Sequence, residues 1–131
     1  MAGAFRTSAE LIAEALANLG VLSSGQTQDP EDVVYVQGKL DAIRRMLIAL
    51  EICQIPDIEN IPGEFFAPLA DIVAGECATK FGSTDDDVVK LVNRGLGGAQ
   101  GTKIGSGVAA MALKQMTRGK PTYEPLKVWY L

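Results

Sequence analysis

Apolar residues recur at helical spacing through most of this chain, and each recurrence is bounded by a recognisable start or stop. Thr7, followed three residues later by Glu10, has the form of a capping box, in which each side chain satisfies a backbone N–H left open by the first helical turn. Leu11, Ile12, Ala15, Leu16 and Leu19 then share one face, and Gly20 suits the left-handed turn that ends a helix, so a short amphipathic helix is predicted over 8–19. After the polar loop 23–28, Asp29-Pro30-Glu31-Asp32 combines an N-cap, a proline fit for the first helical position, and acids at the positive end of the helix dipole. From there Val33, Val36, Leu40, Ile43, Leu47 and Leu50 repeat at alternating spacings of three and four. That pattern predicts a helix to about residue 51, roughly 32 Å long at about 1.5 Å per residue, which forms the spine of the fold.

The stretch 52–63 carries Pro56, Pro62 and isolated apolar residues, and reads as a packed irregular connection. A third helix is predicted over 64–81 through Phe65, Leu69, Ile72, Val73, Cys77 and Phe81, with Pro68 tolerated in its first turn and Gly82 as its stop. Ser83-Thr-Asp-Asp-Asp87 supplies an N-cap and acidic first turn for a fourth helix through Val88, Val89, Leu91 and Val92 to Arg94. Six glycines follow within 95–107, each costing about 1 kcal/mol in a helix interior relative to alanine, so a mobile loop is expected there. A fifth helix is predicted over 108–117 through Met111, Leu113 and Met116. The fold class is therefore all-α, a small bundle of four to five helices with a glycine-rich loop. An extended C-terminal arm over 121–131 follows the helical domain 1–120.

At 131 residues the chain is one domain by size, and 47% hydrophobic with 21% charged residues suits a globular protein. The net charge of −4 gives it no overall attraction to a nucleic-acid backbone. It has no His, which removes the usual neutral-pH general base and the commonest metal ligand, so an enzyme is not expected. Cys53 and Cys77 lack C-x-x-C spacing and read as reduced, buried apolar residues. No signal peptide or membrane span is read, and a soluble, non-exported protein is expected.

The candidate motifs reduce to simpler readings. The glycine run invites a phosphate cradle, yet Gly95 and Gly97 are followed by Gln100 where a dinucleotide fingerprint needs its third glycine, and Gly101-Thr102-Lys103 has the wrong order for a Walker motif. Asp85, Asp86 and Asp87 point to different sides of a helix, which suits its dipole better than one metal shell. Asp71 and Glu76, five apart, lack the spacing of a facing pair. No catalytic residue, cofactor or metal site is assigned. Arg44, Arg45 and the segment 114–120 are local basic features that read as solvated faces or intersubunit salt bridges; Lys103, Arg118 and Lys120 are candidates for a surface facing DNA.

What is left is the closing segment. It holds the only Trp and two of the three Tyr, together with Leu126, Val128 and Leu131. A terminal segment is normally polar and frayed, so this one predicts burial against something else, and its three aromatics can cover roughly 450 to 750 Å² at about 150–250 Å² each. Pro121 and Pro125 bias it toward an extended form.

Four stretches carry a family likeness: Ala15-Leu-Ala-Asn-Leu-Gly-Val21, Lys39-Leu-Asp-Ala-Ile43, Phe66-Ala-Pro-Leu-Ala-Asp-Ile72 and Gly119-Lys-Pro-Thr-Tyr-Glu-Pro-Leu-Lys127. In this order the chain resembles the head-to-tail adaptor proteins of short-tailed bacteriophages, also called head-completion, tail accessory or packaged-DNA stabilisation proteins. The resemblance implies a structural virion protein of the neck, assembled in the host cytoplasm and at most weakly associated when free. It also implies a ring of twelve subunits beneath the portal protein, which extends the DNA channel, retains packaged DNA without sequence-specific binding, and offers a platform to the tail or nozzle protein. The family's C-terminal arm docks along the portal, which makes Tyr123, Pro125, Leu126, Val128, Trp129 and Tyr130 the implied partner-binding residues. The glycine stretch departs from the continuous fourth helix that the resemblance implies. The other reading is a stand-alone helical DNA-binding or regulatory domain using Arg44, Arg45 and 114–120, against which the acidic balance counts.

Overall fold

The computed structural model describes residues 5–20, 29–55, 57–81 and 85–118. Five helices, α1 (Ser8–Asn18), α2 (Pro30–Ala49), α3 (Gly63–Cys77), α4 (Asp85–Arg94) and α5 (Val108–Arg118), account for most of them. The architecture is an all-α bundle.

Two of the anticipated helix starts form as read. Thr7 donates its backbone N–H to Glu10 Oε1 at 2.9 Å, and the Glu10 N–H is accepted by Thr7 Oγ1 at 3.3 Å, which closes the capping box. Asp29 Oδ1 accepts the Glu31 N–H at 3.0 Å with Pro30 in the first helical position. Gly20 takes the left-handed conformation after α1, with φ of +78°. On α2, Val36, Leu40, Ile43 and Leu47 are fully buried, while Val33 and Leu50 pack at the margin.

The centre of the bundle is α3 rather than α2. It packs against α1, α2, α4 and α5, and nine of its fifteen residues are buried. Ala70, Ala74 and Gly75 leave room for neighbours to approach its backbone, while Phe65, Phe66, Leu69, Ile72 and Val73 fill the space between helices. A helix in contact on every side needs an apolar surface wider than one stripe. Pro68 lies at the sixth position of α3, in the second turn rather than the first, so it withholds one interior N–H from the helix ladder. The helix continues as a short 3₁₀ turn, Ala78–Phe81; its anticipated stop Gly82 and the N-cap Ser83 lie outside the described residues.

The connection 52–63 is packed, as expected, with Ile52, Cys53, Ile55 and Ile61 buried. Its end forms a feature that periodicity did not announce: β2 (Ile61–Pro62) pairs antiparallel with β1 (Phe5–Arg6), Phe5 opposite Pro62 and Arg6 opposite Ile61. Two residues per strand are too few to show alternation. This clip ties the entry of α1 to the entry of α3, and the Arg6 guanidinium lies 4.0 Å from the centre of the Phe66 ring.

Candidate assembly surface

The segment 95–107 is the main departure from expectation. It is a loop, but a packed and hydrogen-bonded one built on the C-terminal end of α4. Gly95 N–H is accepted by Leu91 O at 3.0 Å and Gly97 N–H by Val92 O at 2.7 Å, closing the helix. The chain then returns, so that Gly105 and Gly107 both donate to Leu96 O, at 2.8 and 3.1 Å, and Ala110 donates to Gly95 O at 3.0 Å. Asn93 Oδ1 accepts from Ala99 N–H at 3.3 Å and from Thr102 Oγ1 at 2.9 Å, and Ser106 Oγ donates to Lys103 O. Leu96 is buried, 2% exposed, as the apolar plug of the knot.

The glycines are required here for close approach. A Cβ on Gly97, whose φ is +90°, would stand 2.7 Å from the Gly107 nitrogen. At Gly107 it would collide with the backbone of residues 95–97. The same device joins α4 to α3: a Cβ on Gly75 would lie 2.8 Å from Leu91 O, and one on Gly95 would lie 2.8 Å from Asp71 O. Helix propensity penalises these residues in a continuous helix, and packing demands them in a knot.

Helix α5 leaves the knot and buries Ala109, Ala110 and Leu113 against the bundle. Its opposite side is also apolar. Val108 is 71% exposed and Met111 45% exposed, and Ile104 on the knot, four residues before Val108, is 50% exposed. Met111, one of the apolar residues through which this helix was predicted, is exposed, while Ala109, Ala110 and Leu113 face the bundle. These three residues form a strip that reading one apolar face per helix overlooked. The signal that finds it is a second set at 104, 108 and 111, offset from the buried 109, 110 and 113.

The remaining candidates fall around this strip or away from it. Lys103 is exposed on the knot, next to Ile104. Arg118 is the last residue of α5. Lys120, Tyr123, Pro125, Leu126, Val128, Trp129 and Tyr130, and with them the whole C-terminal arm, lie outside the described residues. Arg44 and Arg45 both bridge to Asp41 on their own helix, at 3.0 and 3.1 Å.

Half-buried polar groups elsewhere serve joints between helices. Asp71 on α3 accepts from Asn18 Nδ2 of α1 at 3.2 Å and faces Arg94 Nε of α4 at 3.8 Å. Burial raises its carboxyl above the ordinary range despite the partial compensation of Arg94. Burial likewise raises Glu76, with Lys39 acting against it. Asp71 and Glu76 thus answer to different charged neighbours. Cys53 and Cys77 are free, buried thiols pushed up to about 11 by burial, which keeps them protonated.

A surface pocket of about 260 Å³ lies between α1, α2 and the 57–59 segment. Much of its polar lining is engaged: Ser8 Oγ donates to Glu59 Oε2 at 2.5 Å, and Arg44 donates to Ile55 O at 3.4 Å as well as to Asp41. This crevice belongs to the joint between those elements. Among the described residues no group of three His, Cys, Asp or Glu side chains is placed to hold a metal ion, and no helix is long and apolar enough to cross a membrane.

No protein-family model, curated protein or solved structure matches the chain.

Proposed function

We propose that this chain is a structural head-to-tail adaptor of a short-tailed bacteriophage, one that assembles as a ring beneath the portal, continues the DNA channel and carries the tail platform. The observation that carries the reading is the closing sequence from Gly119 to Lys127, followed by Val128, Trp129, Tyr130 and Leu131, placed directly after a compact helical domain. Helix α5, which bears the exposed apolar strip, ends at Arg118, and the aromatic segment follows it in the sequence. Two separate apolar features suit a protein that completes its burial by assembly. Catalysis is not assigned to it: the chain has no His, and Asp71 and Glu76 answer to different charged neighbours.

In this reading Tyr123, Pro125, Leu126, Val128, Trp129 and Tyr130 dock on the portal, while many weak contacts around a twelve-membered ring add by avidity. Lys103, Arg118 and Lys120 are the residues assigned to a channel-facing surface. The reading as a DNA-binding regulator is the less favoured one, because Arg44 and Arg45 are both engaged by Asp41.

A protein ending at Lys120 tests the proposal. It should keep the helical circular-dichroism spectrum and cooperative melting of the full chain and lose binding to cognate portal particles. Full-stoichiometry binding by the truncated protein would overturn the docking role. Tight DNA binding by the full chain at physiological salt would favour the regulator instead.

A further inference from the structure

We infer that the exposed strip of Ile104, Val108 and Met111 is the seat of the chain's own C-terminal arm, 121–131, which lies back along α5 while the protein is free and leaves when a partner takes the arm. The contact within the free chain stands apart from the adaptor reading; only the identity of the partner rests on that reading.

The strip and the arm carry matching patterns. On α5, Val108, Met111 and Gln115 are exposed at spacings of three and four, one line that runs from the knot toward Arg118, after which the arm follows in the sequence. In the arm, Pro121 and Pro125 favour polyproline II, whose three residues per turn put residues three apart on one edge. Tyr123, Leu126 and Trp129 then share one apolar edge, and Pro125, Val128 and Leu131 a second. Glu124, Lys127 and Tyr130 make the third, which is polar. A segment with two apolar edges and one polar edge suits lying on a surface.

The arm is long enough for this. Val108 stands ten residues before Arg118, about 15 Å along the helix at about 1.5 Å per residue. From Pro121 to Trp129 the arm spans roughly 25 Å at about 3.1 Å per residue. A reversal at Gly119-Lys120 therefore brings Tyr123 near Met111, Leu126 over Val108, and Trp129 onward to the knot.

Tethering decides between the arm and a second molecule. Three exposed side chains are too few for the total of about 1,200 Å² or more that stable interfaces between proteins bury. A segment joined by a short link meets the strip at an effective concentration in the millimolar range, so a surface too small to hold a free partner is filled by the attached one. The same weakness lets the seat be vacated. A partner that buries all three aromatics of the arm outcompetes the strip and uncovers it in the same step.

Trp129 is the only Trp of the chain, so its fluorescence reports on the seat alone. In the full-length protein its emission should lie to the blue of its position in the urea-unfolded chain, and should stay there on dilution. Met111→Asp and Val108→Asp alter exposed side chains, so the helical circular-dichroism spectrum should hold while the emission moves to the unfolded position. Val34→Asp, at an exposed apolar residue of α2, should leave the emission in place. Four results would overturn the inference: native emission already at the unfolded position, blue emission that survives both strip substitutions, an equal shift with Val34→Asp, or blue emission lost on dilution, which would assign the seat to a second copy. Strip-dependent blue emission in a protein that ignores portal particles upholds the seat against the adaptor reading. Portal binding by a chain whose Trp129 emission the strip substitutions do not move does the reverse.

Discussion

The joint that leads from α2 into α3 and the joint that leads from α4 into α5 are built from opposite materials. The first is held by large side chains, with Ile52, Ile55 and Ile61 at 0 to 2% exposure in an irregular backbone. The second is held by backbone against backbone, with Gly95, Gly97 and Gly107 in contact and a single plug, Leu96. Side-chain joints tolerate changes of shape at constant volume, because neighbours repack. Backbone joints tolerate no added atom where the facing group is a peptide.

That contrast is open to breakage by substitution. Ile52→Ala should cost about 2–5 kcal/mol in urea unfolding, whereas Ile52→Leu should cost less than about 1.5 kcal/mol. Gly107→Ala adds only one methyl, yet it should cost about 1–3 kcal/mol, and Gly75→Ala a similar amount, because peptide groups rather than flexible side chains stand in the way. A neutral Gly107→Ala would remove the distinction between the two joints.

The smallest effect concerns pH. Burial raises the Glu76 carboxyl, so the folded protein holds that proton more tightly than the unfolded chain does. Its contribution to stability is therefore fully present below the ordinary glutamate value of 4.5 and is lost as pH rises through the raised one. Glu76→Gln should abolish its share of that slope, leaving the share of Asp71, whose carboxyl is raised by the same cause. Denaturant midpoints across this range read the difference, and an unchanged slope would place Glu76 in solvent.

The same contrast explains how far the sequence was legible. Thr7 with Glu10, Asp29 with Pro30, and the run Val36, Leu40, Ile43, Leu47 are local patterns with local causes, and they mark the helices they form. The Phe5–Arg6 strand depends on a partner at Ile61–Pro62, and no spacing rule reaches it. The glycines of 95–107 were read as freedom, whereas Gly95, Gly97 and Gly107 make room for a peptide elsewhere in the fold. The exposed strip of Ile104, Val108 and Met111 was hidden because the other side of α5 is apolar too. The aromatic arm could be picked out from composition alone, and its destination rests on the proposed assembly.

Electron microscopy of the full-length protein mixed with cognate portal particles tests that assembly most directly. The adaptor account predicts a twelvefold collar on one face of the portal, with density for the 121–131 arm lying along the portal surface. Portal particles that remain bare at saturating protein would contradict it.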